Sequence, residues 1–112
     1  MVGHDGATEY YMMTYKERTV FVLDENLNKI VRQYEMPDVI KEGWGMTHYI
    51  ADGKAKILVT DGSNQIFHIN PDGFTVEKTV IVNDGNGEPI DQLNELEMYE
   101  DSTVLANVLE LN

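Results

Sequence analysis

Lys56-Ile57-Leu58-Val59-Thr60, Asp61-Gly62-Ser63-Asn64, Gln65-Ile66-Phe67-His68-Ile69 and Asn70-Pro71-Asp72-Gly73 stand in series in the middle of the chain. The first and third runs are rich in β-branched and aromatic residues, and the second and fourth carry the residues that close turns. The passage therefore reads as strand, turn, strand, turn. An outer strand over 74–82 follows it. A strand over 44–50 precedes it, across the turn Ala51-Asp52-Gly53-Lys54. Helix signals are scarce, and turn clusters return about every 8–12 residues, the spacing of all-β proteins.

The pattern recurs on both sides. Thr14-Tyr15 with Val20-Phe21-Val22-Leu23-Asp24 matches Thr60-Asp61 with Ile66-Phe67-His68-Ile69-Asn70, and Val20 and Ile66 are 46 residues apart (66 − 20). Lys56-Ile57-Leu58-Val59-Thr60 is echoed by Thr103-Val104-Leu105-Ala106-Asn107, 47 residues on (103 − 56). A four-stranded unit repeating every ~40–50 residues marks a β-propeller blade. On this count 42–83 is a complete blade. Residues 9–41 make a partial one of three strands, lacking the innermost, and 90–112 a partial one of two. In the first unit 9–15 and 19–23 are strands, 29–35 is a half-exposed outer strand, and Pro37 ends the pairing because it has no N–H to donate. The expectation is a single all-β domain over 1–112 with about two and a fraction blades. It is not closed, whereas propellers close into rings to protect their sheet edges. The chain is thus expected to be a piece of a larger propeller, or to be completed by a protein partner or a second copy pairing with its open edges.

The 112 residues carry a net charge of −12 and a pI near 4.4, and 42% are hydrophobic, enough for a packed core. The acidic excess repels phosphate backbones and anionic membrane surfaces, so nucleic-acid and membrane-surface binding are disfavoured. There is no cysteine, which removes disulfides and thiolate metal sites. No apolar run has the length of a membrane span. The opening Met1-Val2-Gly3-His4-Asp5-Gly6 has no basic region or apolar stretch, so no signal peptide is expected, and the compartment stays open.

Glu42-Gly43-Trp44-Gly45-Met46-Thr47, Thr60-Asp61-Gly62-Ser63, the run from Ile66 to Pro71, Asn94-Glu95-Leu96-Glu97 and Ala106-Asn107-Val108 occur in that order. The combination, over about 11–108, resembles the plant and bacterial type of glutaminyl-peptide cyclotransferase, a five-bladed β-propeller family. The resemblance implies an acyltransferase reaction in which the α-amine of an N-terminal glutamine attacks its own side-chain amide, ammonia leaves and pyroglutamate remains. It implies a peptide with N-terminal Gln as substrate, and no cofactor or catalytic metal. Trp44, the only tryptophan, matches a pocket-lining tryptophan, and Asn94 an asparagine that contacts the substrate amide. Tyr15 stands where the family usually has tryptophan, and Leu109 where a further tryptophan usually follows. The family's glutamate belongs to an F-x-E-G segment before Tyr11, and no such segment is found there. The catalytic acid is therefore unassigned, with Glu42 as candidate substitute because it shares a strand face with Trp44 two residues on.

Each of these residues has a plainer reading. Trp44 could be core, Asn94 a turn residue, and Glu42 a solvated carboxylate at a strand end, which for Glu42 is the preferred reading. Glu95 and Glu97 alternate with Leu96 as a strand rim would. Asp84, Asn86 and Glu88 depart from the twelve-residue calcium loop, and His4, His48 and His68 sit at unrelated strand phases. Met12, Met13, Met36, Met46 and Met98 are expected to fill gaps in the core. Two functions follow: a cyclotransferase segment, or a catalytically silent propeller piece that serves as a docking subunit of a larger assembly.

Overall fold

A computed structural model describes residues 2–4, 7–14, 17–90, 93–99 and 103–108. These contain ten strands and no helix: β1 (Val2–His4), β2 (Ala7–Met13), β3 (Thr19–Leu23), β4 (Ile30–Glu35), β5 (Gly45–Ala51), β6 (Lys54–Thr60), β7 (Gln65–Asn70), β8 (Thr75–Ile81), β9 (Leu93–Tyr99) and β10 (Thr103–Val108). They form three antiparallel sheets, ordered β1-β2-β3-β4, β5-β6-β7-β8 and β10-β9. The described sheets do not close into a ring.

The repeat seen in the sequence is reproduced in the pairing register. Val20 opposes Tyr34 and Val22 opposes Arg32, while Ile66 opposes Val80 and His68 opposes Lys78. Every member of the second set lies 46 residues beyond its counterpart. Even the irregularity repeats: the register slips between Val22 and Leu23, and again between His68 and Ile69. Such a bulge bends and twists a strand locally, so the two outer hairpins share one curvature and can stack.

They stack face to face. Val20 of β3 packs with Ile57 and Val59 of β6, Phe67 and Ile69 of β7, and Met36, Ile40 and Phe74 in one buried cluster. Paired residues share a face, so Tyr11, Met13, Val20, Val22 and Tyr34 form the side of the first sheet turned to the middle one. The repeat then shows which faces lack a cover. Val20 and Val22 are fully buried, but their equivalents Ile66 and His68, on the far side of the middle sheet, are only partly buried. Phe67 and Ile69 are fully buried, but their equivalents Phe21 and Leu23, on the outer side of the first sheet, are partly exposed.

The linker between the first two sheets is pinned by Arg18, whose φ is +60°. Its guanidinium donates to the carbonyls of Ile40 (2.6 Å), Met36 (3.0 Å) and Pro37 (3.1 Å). Satisfying three carbonyls with one planar donor fork is a task suited to arginine.

Three expectations need adjusting. The first sheet has four strands, not three, because Val2–His4 pairs with the start of β2, which itself begins at Ala7 rather than Glu9. Met12 does not fill the core; it is 50% exposed, since its partner Phe21 lies on the outer face. Trp44 lies just before β5, although its N–H already bonds to the Thr60 carbonyl at 3.0 Å. Pro37 does follow the end of β4, and Ile30–Glu35 is the half-exposed outer strand expected, one residue shorter at its start.

Candidate active site

Three segments meet at one end of the middle sheet: the approach to β5, the turn between β6 and β7, and the start of β9. The turn is the hub. Asp61 is 9% exposed, and its Oδ1 accepts from the Ser63 N–H (3.1 Å) and hydroxyl (2.5 Å), an Asx turn that the short carboxylate side chain favours. Its Oδ2 accepts the Lys41 N–H at 3.3 Å, tying the turn to the segment that leads to Trp44. The Ser63 carbonyl accepts the Leu93 N–H at 3.3 Å, tying the same turn to β9. One turn thus holds both segments.

β9 and β5 approach closely where Gly45 meets Asn94. A Cβ on Gly45 would stand 2.0 Å from the Asn94 carbonyl oxygen and 2.9 Å from the Thr60 hydroxyl. Thr60, fully buried, donates that hydroxyl to the same carbonyl at 2.7 Å. The absence of a side chain at position 45 lets the strand carrying Asn94 sit against the strand following Trp44.

Trp44 is partly buried, and its indole N–H donates to Glu42 Oε1 at 3.0 Å. A Cβ on Gly62, whose φ is +84°, would fall 2.6 Å from Cε2 and Cζ2 of that indole. The ring therefore lies against bare backbone. Glu42 is partly buried and engaged, not the freely solvated carboxylate preferred from the sequence. Asn94 is partly buried, and its side-chain amide has no hydrogen-bond partner among the described residues. Tyr15 and Leu109 lie outside the described residues.

The fold brings Trp44, Glu42 and the start of β9 together. Among the described residues, the tyrosines and histidines with shifted proton affinity lie on the sheets. Burial pushes the Tyr11 and Tyr49 hydroxyls up and the His48 and His68 imidazoles down. Glu95 and Glu97 are exposed. Asp84 Oδ1 accepts the N–H groups of Asn86 (2.8 Å) and Glu88 (3.0 Å), closing its loop on itself. Among the described residues no three His, Cys, Asp or Glu side chains cluster to hold a metal, and no helix is long and apolar enough to cross a membrane. Two open grooves, near Arg18 and Gln33 and near Val39 and Phe74, do not reach Trp44 or Asn94.

Sequence reasoning did not single out Thr60, Asp61 and Gly62 as parts of the site. Asp-Gly-Ser reads as an ordinary turn, and nothing local to it says that it touches residues 41, 44 and 93.

The sequence model of the glutamine cyclotransferase family matches residues 5–112. Among solved structures, the glutaminyl cyclase of Myxococcus xanthus is similar with a TM-score of 0.76 and 26% identity; the match covers 96% of this chain and 42% of that one. No curated protein matches.

Proposed function

Since the chain belongs to the glutamine cyclotransferase family, we propose that it carries part of a pocket that converts an N-terminal glutaminyl residue to pyroglutamate. The observation that supports this reading is the packing of the Trp44 segment against the Asn94 segment, in contact at Gly45. In the proposed reaction the α-amine nitrogen bonds to the side-chain amide carbon. A proton passes from that amine to the amide nitrogen, the C–N bond breaks, ammonia leaves and a five-membered lactam remains. Trp44 supplies a rigid wall that folds the flexible side chain onto its own amine, which lowers the entropic part of the barrier. The amide of Asn94, without a partner among the described residues, donates to the substrate amide oxygen as negative charge develops on it. Tyr15, outside the described residues, is assigned to substrate binding by the family resemblance alone.

We read the sheets as blades of a five-bladed propeller. The uncovered faces, with Met12, Phe21, Leu23 and Ile30 on one side and Ile66, His68 and Val80 on the other, are where further blades of the same build would pack. Those blades belong to the same polypeptide, to a partner or to a second copy of this chain. The chain spans 42% of the length of the Myxococcus enzyme.

The test is ammonia release from a peptide with N-terminal Gln, against the same peptide with its α-amine acetylated. Release from the free amine only, lost in Trp44→Ala and Asn94→Ala variants, is the expected result. A folded chain that releases none from either peptide refutes activity in this chain and leaves the docking-subunit reading.

A further inference from the structure

We infer that Glu42 and Gly62 are positioning residues that fix the orientation of the Trp44 indole, so that Glu42 acts through the tryptophan and not as the catalytic acid. The inference rests on the cyclotransferase reading for its consequence, but on local geometry for its content.

An indole on a strand end has two side-chain torsions to settle. The Trp44 N–H bond to the Thr60 carbonyl fixes the backbone only. Two contacts with described residues bear on the ring. Glu42 Oε1 holds the Nε1–H at 3.0 Å, which sets the direction of the ring's polar edge. The bond is charge-assisted and therefore stronger than a neutral one. Gly62 sets the plane. With a Cβ it would come within 2.6 Å of Cε2 and Cζ2 and 2.9 Å of Cδ2, so the ring rests where only a glycine leaves room. The two constraints are independent, one polar and in the ring plane, the other steric and against its face.

Both are held in turn. Gly62 sits in the Asx turn closed by Asp61, and Asp61 also grips Lys41, next to Glu42. The carboxylate and the glycine are thereby fixed relative to one another across the sheet. The indole N–H commits Oε1, which leaves Oε2 alone for a proton shuttle between a substrate amine and its leaving ammonia, a step that demands hydrogen-bond reach to both. On this inference the acid comes from elsewhere, and an amide at position 42 would hold the indole nearly as well.

The test uses the 112-residue chain, in which Trp44 is the only tryptophan and its fluorescence reports on one ring. Glu42→Leu and Gly62→Ala are expected to raise acrylamide quenching of Trp44 and to lower kcat/KM roughly 10- to 100-fold, the scale of a misplacement near 1 Å. Glu42→Gln, which keeps an oxygen acceptor, is expected to restore wild-type quenching and to keep kcat/KM within a few-fold. Far-ultraviolet circular dichroism shows whether each variant is folded, and Glu42→Gln decides the matter should Glu42→Leu fail to fold. Unchanged quenching in Glu42→Leu or in Gly62→Ala overturns the inference. So does a Glu42→Gln chain with normal quenching but little activity, because the charge itself would then be at work. A wild-type chain without cyclisation activity refutes the proposed function alone, and the quenching results still decide the positioning.

Discussion

Replacing Gly45 by alanine should damage both stability and any activity. The new methyl carbon would stand 2.0 Å from the Asn94 carbonyl oxygen and 2.7 Å from its carbon. These are backbone atoms, so no rotamer change relieves the clash. An unstrained carbon-to-oxygen contact is about 3.3–3.6 Å, so β9 must retreat from β5 by more than about 1 Å. The Thr60 hydroxyl bond to the same carbonyl, now 2.7 Å, then stretches to the limit of hydrogen-bond reach or beyond. Overpacking costs about 1–3 kcal/mol, and a buried hydroxyl that loses its partner costs about 1–3 kcal/mol more. The sum, about 2–6 kcal/mol, is a large share of the 5–15 kcal/mol or so that holds a typical domain together. Urea unfolding followed by Trp44 fluorescence measures it. Gly53→Ala is the control. Its added carbon meets nothing within 4 Å, and only its φ of +78° opposes it, so about 1–2 kcal/mol is expected there. A Gly45→Ala chain that loses less than about 0.5 kcal/mol, the range of an innocuous surface change, refutes the close approach of β9 to β5.

Two further outcomes are expected. The Tyr11 hydroxyl is buried and makes no well-formed hydrogen bond among the described residues, although the Arg32 guanidinium lies beside it and draws its proton affinity down against the effect of burial. Tyr11→Phe should therefore leave the midpoint of thermal unfolding unchanged or raise it, by up to about 1 kcal/mol in stability; a clear loss would mean that the hydroxyl is bonded after all. His68 is held below its ordinary pKa of 6.5 by burial first and by the Lys78 charge second, and its Nδ1 meets the Tyr49 hydroxyl at 2.8 Å. The unfolded chain takes up this proton more readily than the folded one, so the stability is complete above 6.5 and is lost as pH falls through that value toward the lower folded one. His68→Gln should then show a shallower fall in stability than the wild type between about pH 7 and pH 5. Parallel curves would sink the assignment.

The propeller-like repeat was legible because it is written in local terms. Strand residues alternate with turn residues at a fixed spacing, and the 46-residue shift from Val20 to Ile66 reappears in the pairing of both hairpins and in their shared bulge. The pairing of Glu42 with Trp44 was half legible. Residues two apart on an extended chain share a side, but only the folded ring shows that the carboxylate takes the indole N–H. The strand at Val2–His4 was missed because three residues with a central glycine give too little pattern. Met12 was misassigned to the core because alternation says that neighbouring residues face opposite ways without saying which way is covered.

The sequence by itself determined the all-β class, the order of the strands, the period of the repeat and the family. All of these depend on residues near one another in the chain or on motifs in series. Only the tertiary structure decided that the Asp61-Gly62-Ser63 turn joins Trp44 to β9, that Gly45 exists to admit the Asn94 carbonyl, and that Glu42 is engaged. The contacts of the turn and of Gly45 connect residues as far apart as Thr60 and Asn94, and they end on backbone atoms. A carbonyl carries no side-chain signature, so no pattern of residue types announces where it will be met.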